Sequence, residues 1–290
     1  MNFRELPPIT QRQEEILTLI YRFRFINRIQ LQRYFKHKDA RRINTWLRDL
    51  VEKKYLGRIY SHKLLENTKP AIYYLMNNGI IWIRYEVGEY TTNDGQLEIK
   101  YLKKFYQDRK ASRIFVDHCI SIFELYLQLK AAEVEDKIDY DTQTKTERWI
   151  TKQMDKYEDF DEIKEFIPDL FVEKMVNPLS KEINSSTYFI ELFDKHVPMY
   201  AIKYRISRYI KLKESEDWKN YAGLDGKFPQ VLLIFPHQKK INMMSNEMSK
   251  MLARSFESEG LTILVTTYKK AMEKGITYGS KIWRQIKEDY

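Results

Sequence analysis

Cysteine is almost absent from this chain of 290 residues, which contains only Cys119. One thiol cannot form an internal disulfide and cannot supply a Cys-x-x-Cys metal site. Disulfide-rich secreted scaffolds and cysteine-based zinc modules are therefore excluded. Because free thiols persist in a reducing compartment, we expect a cytoplasmic protein.

Long apolar runs are also absent. Apolar runs such as those at 80–83 and 231–235 are far shorter than the roughly 20 residues of a membrane-spanning helix. The first residues lack the apolar stretch that is typical of a signal peptide. We therefore expect no membrane partner. The aromatic content, 21 Tyr, 15 Phe and 5 Trp, is far above that of disordered chains and indicates folded domains.

Positive charge is concentrated at one end of the chain. Residues 1–85 contain 17 basic and 7 acidic residues, a net charge of +10. Residues 86–290 contain the remaining 33 basic and 34 acidic residues, a net charge of −1. This asymmetry indicates a polyanion-binding module joined to a nearly neutral one.

Residues 1–87 have the pattern of three short helices followed by a β-hairpin. Helix-capping signals stand at Thr10 with Gln13, at Asn27 with Gln30, and at Asp39. Two β-prone stretches, 56–62 and 71–75, flank a polar turn. This order predicts a winged helix-turn-helix, in which the third helix enters the major groove of DNA.

The third predicted helix has an apolar stripe on one side and a polar face on the other. Side chains suited to base edges and phosphates occupy that face and its flanks: Arg41, Arg42, Asn44, Thr45 and Arg48. Arginine pairs bidentately with guanine, and asparagine with adenine. On the hairpin, Arg58, Lys63 and Lys69 are predicted phosphate contacts. A solvated helix face is the alternative reading, and winged helices also serve as protein-docking modules.

Residues 88–108 have little regular pattern and are predicted to form a linker. Residues 109–290 are predicted to be a mixed α/β domain with a central sheet. Its predicted elements are a helix at 109–132, strands at 144–152, 166–174 and 186–193, a helix at 199–213, a strand at 230–235, a Met-rich helix at 242–257 and a strand at 261–266.

Two acidic residues stand on neighbouring strands of this predicted sheet. Asp169 opens one strand and Glu191 lies in the next. Such a pair, with a lysine two positions after the second acid, is how a nuclease site holds magnesium and a water molecule. Phe193 occupies the lysine position, and Lys195 shares the strand face of Glu191 if the strand extends that far. Two ordinary carboxylates at strand ends would give the same pattern.

A series of short motifs, in this order along the chain, resembles the replication-relaxation family. They are TQRQ at 10–13, QLQRYF at 30–35, RRINTWL at 41–47, His118 in a long helix, PD at 168–169 and FIE at 189–191, followed by a helix rich in Lys, Arg and Tyr. The resemblance implies a winged helix joined to a restriction-endonuclease-like domain, in proteins of plasmids and other mobile elements. With Phe193 in the lysine position, it implies a degenerate nuclease fold that serves as a scaffold for DNA or partner binding.

We therefore expect an α+β protein that binds specific double-stranded DNA of a plasmid or mobile element. It would act in replication initiation, in relaxation or in their control, without catalysis of its own and without a cofactor. One alternative is a magnesium-dependent nuclease or nickase that uses Asp169 and Glu191, with Lys195 or Lys203 as the cation. Others are a winged-helix transcriptional regulator and a protein-docking module. A homodimer that reads two half-sites, and contacts with replication or transfer proteins, are further expectations.

Overall fold

The computed structural model describes residues 5–61, 68–88, 102–136, 139–147, 168–175, 186–215, 218, 227–255, 260–276 and 281–287. They form a mixed α+β chain with two sheets, which confirms the predicted α+β class. The chain divides into two compact units. Among the described residues, the first unit contains those up to Leu127 together with Thr146 and Glu147, and the second contains the others. The predicted boundaries at 87 and 109 differ from this division.

The first unit begins with three helices and a three-stranded sheet. The elements are α1 Gln11–Phe23, β1 Ile26–Asn27, α2 Arg28–Tyr34, α3 Ala40–Glu52, β2 Leu56–Ile59 and β3 Ile72–Leu75. The sheet is antiparallel, with strand order β1-β3-β2. Strand β1 was not predicted, because a two-residue strand has no periodicity of its own and exists only through its pairing with β3.

The three helices start where the capping signals predict. Thr10 and Gln13 form a capping box at the start of α1. The side chain of Asn27 accepts a hydrogen bond from the amide three residues on, at 3.0 Å. The side chain of Asp39 accepts from the amide two residues on, at 2.7 Å. Each cap satisfies an amide that has no partner within its helix, and the predicted starts are confirmed.

The first unit continues with α4 Asn77–Gly88, a 3-10 helix Phe105–Lys110 and the long helix α5 Arg113–Asp136, whose residues after Leu127 belong to the second unit. Phe105 is buried and stacks on Tyr21, with 5.6 Å between ring centroids. Arg24 Nε donates to the Asp108 carboxylate at 3.0 Å. The described end of the predicted linker is therefore packed against the unit, because the Phe105 ring, although it lies within a polar run, is buried against Tyr21.

The second unit contains a six-stranded sheet of order β4-β5-β6-β7-β8-β9. Its elements are β4 Asp139–Thr144, β5 Leu170–Met175, β6 Ser186–Leu192, α6 Met199–Glu214, β7 Gln230–Phe235, α7 Gln238–Ala253, β8 Ile263–Thr267, α8 Tyr268–Lys274 and β9 Arg284–Gln285. Strands β6, β7 and β8 are parallel, and the other neighbours pair antiparallel.

One strand of the second unit was misplaced from the sequence. The prediction put it at 144–152, of which 148–152 lie outside the described residues; β4 runs from Asp139 to Thr144, and residues 145–147 are not in a strand. Tyr140, Thr142 and Thr144 alternate as its buried side chains. Two of these three side chains are polar, so the alternation of a half-buried strand was hidden.

Helices α6 and α7 pack against one face of this sheet. Their buried side chains, Ile202, Ile206 and Tyr209 from α6 and Met244, Met248 and Leu252 from α7, join one apolar cluster with side chains of β5 to β8. The opposite faces of both helices are left exposed. In the part of the chain that the structure describes, no helix is both long enough and apolar enough to cross a membrane.

Candidate nucleic-acid interface and acidic cluster

Helix α3 has the apolar stripe and the polar face that its sequence predicts. Ile43, Leu47 and Leu50 are fully buried on one side. All five side chains predicted to contact DNA are exposed, namely Arg41, Arg42, Asn44, Thr45 and Arg48. The Arg41 side chain is 93% exposed, and its Nε lies 3.3 Å from the carboxylate of the capping residue, Asp39.

The last turns of α3 are fastened to the start of the chain. Gln13 Nε2 donates to the Asp49 carboxylate at 2.6 Å. Lys53 Nζ donates to the same carboxylate and to the Pro8 carbonyl, both at 2.8 Å. The hydrogen bond from Lys53, assisted by that from Gln13, holds the pKa of Asp49 below its usual value. These contacts fix the direction of α3 in the first unit.

A groove with a volume of about 500 Å³ lies between α3 and the two hairpin strands. Its lining includes two arginines, a lysine, an amide and an exposed tyrosine: Arg28, Arg58, Lys69, Asn44 and Tyr60. A second hollow of about 380 Å³ continues along α3 past Thr45 and Arg48, and shares Asn44, Arg58 and Tyr73 with the first. The polar face of α3 therefore borders a concave basic surface.

The hairpin contributes two of its three predicted cations to this surface. Arg58 is exposed, and its guanidinium lies 4.8 Å from the ring centroid of Tyr60. Lys69 is also exposed, whereas Lys63 lies outside the described residues. Sequence reasoning missed Arg28, the first residue of α2, whose position beside the Asn27 cap gave no sign that it faces the hairpin.

In the second unit, the structure brings Asp169 and Glu191 together. Leu170 and Ile190 are partners in the β5–β6 register, so the two acids lie at neighbouring positions, and both are buried. Arg205 of α6 contacts both carboxylates. Its Nη1 donates to Glu191 Oε2 and lies 3.8 Å from Asp169 Oδ1. A guanidinium thus bridges the two acids of the predicted site.

Three further donors surround the acidic pair. The amide of Leu192 donates to Asp169 Oδ2 at 2.9 Å, and the Tyr209 hydroxyl donates to Glu191 Oε1 at 3.0 Å. Lys145 Nζ lies 4.0 Å from Asp169 Oδ1. We call the five side chains Lys145, Asp169, Glu191, Arg205 and Tyr209 the acidic cluster. Its two negative charges face two positive ones.

The acidic cluster contains one group that titrates near neutrality. Burial, followed by repulsion from Asp169, raises the pKa of Glu191 to about 7, although Arg205 opposes the shift. Burial lowers the pKa of Arg205, but the attraction of Glu191 and Asp169 outweighs it and raises the value above normal. Burial also raises the pKa of Tyr209 well above its usual value. Arg205 therefore keeps its charge and Tyr209 its proton.

This arrangement does not fit a divalent cation. Three of the four carboxylate oxygens accept hydrogen bonds from the protein, and the fourth faces Arg205 and Lys145. Among the described residues, no group of three or more His, Cys, Asp or Glu side chains is placed to hold a metal ion. The Arg205 guanidinium, which contacts both carboxylates, already occupies the place between them that a shared cation would take.

The expected lysine has no place in the acidic cluster. Strand β6 ends at Leu192 and so does not extend as far as Lys195, the condition under which Lys195 would share the strand face of Glu191; Lys195 is exposed in the following turn. Phe193 is buried against Phe235, with 5.1 Å between ring centroids. Sequence reasoning placed Arg205 and Tyr209 in the Lys/Arg/Tyr-rich helix of the family resemblance but did not assign them to the site. Their four-residue spacing puts both on one helix face.

Comparison with known proteins supports one assignment. A family model described as replication-relaxation matches residues 17–231. Among curated proteins, none matches this chain. Among solved structures, the chain is similar to restriction endonuclease FokI at 12% identity, with a TM-score of 0.28, over 95% of this chain and 46% of that one. For FokI bound to DNA the identity is also 12%, the TM-score is 0.26, and the coverage is 95% and 47%.

The chain spans less than half the length of these FokI structures. The family match, in contrast, covers most of the chain and includes α3, the groove beside it, Asp169, Glu191 and Arg205. It confirms the family that the short motifs indicate. The chain belongs to the replication-relaxation family.

Proposed function

We propose that the protein binds double-stranded DNA through its first unit and acts in the replication of a plasmid or another mobile element. The observation that carries this proposal is the exposed basic face of α3 beside a basic groove. Membership of the replication-relaxation family supports the role in replication. The net charge of +10 on residues 1–85 supports a polyanion as the partner.

We interpret the first unit as a winged helix-turn-helix. Its element order, α1-β1-α2-α3-β2-β3, and its antiparallel sheet of order β1-β3-β2 are those expected of this fold. In a winged helix the third helix lies in the major groove, and the hairpin contacts the adjacent backbone. We therefore assign α3 as the recognition helix and the β2–β3 hairpin as the wing.

The chemistry of the exposed side chains gives each a role in this complex. Arg41, Asn44 and Arg48 have the donors that read base edges in the major groove. Arg58 and Lys69 of the hairpin, with Arg28 across the groove, are placed to contact phosphates, which fix the register of the protein on the duplex.

We propose that the acidic cluster is a structural element and not a catalytic centre. Metal-dependent cleavage needs carboxylate oxygens that are free to hold a cation and a water molecule. Here the bridging guanidinium of Arg205 neutralises the pair from within the protein. The second unit would then serve as a scaffold for DNA or for partner proteins.

A mobility-shift experiment tests the assignment of α3. Bound duplexes are first selected from a random pool, and the selected site is then titrated with wild type, Arg41→Ala and Arg48→Ala at moderate salt. Each variant should bind about tenfold more weakly, the cost of losing one bidentate base contact. Arg113→Ala is the matched control, because Arg113 is also exposed but lies on α5, which packs on the Ile72 face of the sheet.

Four outcomes would contradict the proposal. Affinities of Arg41→Ala and Arg48→Ala equal to that of Arg113→Ala would remove α3 from the interface. An affinity that does not change with salt would indicate a protein-docking module instead. Cleavage of supercoiled plasmid in magnesium or manganese that disappears in Glu191→Ala would show a nuclease. Selected sites that map to promoters and not to an origin would indicate a transcriptional regulator.

A further inference from the structure

The second unit is nearly neutral as a whole, but positive charge is concentrated on two of its helices. Its residues, 128–145 and 157–290, contain 24 basic and 25 acidic residues, a net charge of −1. Within them, α6 contains five basic residues and one acidic residue, and α7 contains three basic and one acidic. The two helices lie side by side on one face of the sheet. This helical layer is therefore basic, and the rest of the unit is acidic.

The outer face of α6 also carries exposed aromatic rings. Tyr200 is 76% exposed and Tyr204 is 58% exposed. They are four residues apart, so one lies above the other on the same side of the helix. Arg208 follows at the same spacing, and its guanidinium lies 5.8 Å from the ring centroid of Tyr204. Lys211, exposed on the next turn, extends the row.

The orientation of this row is fixed by the packing of α6 on the sheet and by a contact between α6 and α7. Ile202, Ile206 and Tyr209 are fully buried on the inner face of α6. Lys203 Nζ donates to the Glu247 carboxylate of α7 at 2.6 Å, which joins the two helices at the surface. Tyr200 and Tyr204 therefore project from a rigid layer and not from a loop.

We propose that the row Tyr200, Tyr204, Arg208 and Lys211, here called the tyrosine–arginine row, binds single-stranded DNA. Bases would stack on the two tyrosine rings, and the cations would contact the phosphates between them. A duplex does not offer its base faces, so these rings favour an unpaired strand. The surface differs from the proposed duplex-binding surface in unit and in chemistry, and it goes beyond the function proposed above.

Fluorescence anisotropy with the full chain and labelled oligothymidylate tests this inference. Tyr200→Ala/Tyr204→Ala should weaken binding of the oligonucleotide by about tenfold or more, because stacking on both rings is lost. Tyr200→Phe/Tyr204→Phe retains both rings and should bind like wild type. Tyr106→Ala is the control, because Tyr106 is also an exposed tyrosine, 49% accessible, but lies in the first unit and outside the row.

A second comparison separates this inference from the proposed function. Arg41→Ala/Arg48→Ala should lose duplex affinity and keep its affinity for oligothymidylate, whereas the double tyrosine-to-alanine variant should show the reverse. Circular dichroism and a thermal melt verify that each variant is folded, and Lys211→Ala tests the row without changing a ring. Absence of oligothymidylate binding at low salt, wild-type affinity in the alanine pair, or equal losses in the phenylalanine and alanine pairs would overturn the inference.

Discussion

The two units of this protein use arginine in opposite ways. In the first unit, Arg41, Arg42 and Arg48 project into solvent from α3. In the second, Arg205 lies against two buried carboxylates. An exposed guanidinium is available to an external phosphate, and its interactions weaken with salt. A buried pair is largely protected from salt. The comparison shows that the placement of the cations, and not their number, decides what they can bind.

The largest expected effect tests the internal role of Arg205. Arg205→Ala leaves Asp169 and Glu191 side by side and buried, with only Lys145 to compensate them. Loss of one partner from a buried ion pair costs about 3–5 kcal/mol of stability. Urea denaturation measures the free energy of unfolding. Arg208→Ala, on the same helix but partly exposed, should cost much less; equal losses for the two variants would show that Arg205 does not stabilise the acidic cluster.

The next effect is the pH dependence of stability that Glu191 imposes. Its pKa is about 7 in the folded protein against 4.5 for an ordinary glutamate, so the folded state holds the proton more tightly. The contribution of this proton to the free energy of unfolding is complete below pH 4.5 and is lost as pH rises through 7. It amounts to about 3 kcal/mol. Glu191→Gln should flatten the change in Tm between pH 5 and 8, and parallel pH profiles for the two proteins would contradict this.

The smallest expected effect concerns an exposed cation of the first unit, Lys69, and the salt dependence of DNA binding. Lys69→Ala should remove one phosphate contact, so the slope of log Kd against log salt concentration should fall by about 0.9. Titrations of the selected duplex over a range of salt concentrations measure that slope. Lys103→Ala removes an equally exposed lysine of the first unit that does not line the groove. An unchanged slope for Lys69→Ala would exclude the wing from phosphate contact.

Local signals in the sequence predicted most of the first unit. The caps at Thr10, Asn27 and Asp39 are short-range chemistry, since at each of them a side-chain oxygen accepts a hydrogen bond from an amide two or three residues away. The stripe of α3 follows from helical periodicity alone. The direction of Arg28 could not be predicted, because it depends on how α2 meets a hairpin that begins 28 residues further along the chain.

The second unit shows where local reasoning ends. Asp169 and Glu191 were paired correctly from strand order, but the cation between them comes from a helix that crosses the sheet. Arg205 looked like one basic residue among several on α6. The polar side chains of β4 resemble a loop, so the strand was predicted too late in the chain, at 144–152. Lys145, which follows β4, was therefore placed inside a strand. Contacts between distant segments decide the chemistry of this site, and a single sequence does not display them.

The attachment of α3 to α1 has a mechanical consequence for the proposed complex. Gln13 holds the Asp49 carboxylate and Lys53 donates to the Pro8 carbonyl, so α3 cannot turn without breaking both contacts. In the proposed complex a rigid α3 would leave the adjustment to the duplex, which would bend or change its groove width to fit. Sites rich in flexible pyrimidine–purine steps would be favoured even at positions that no side chain contacts. Stiffness in the protein would thus become sequence preference in the DNA.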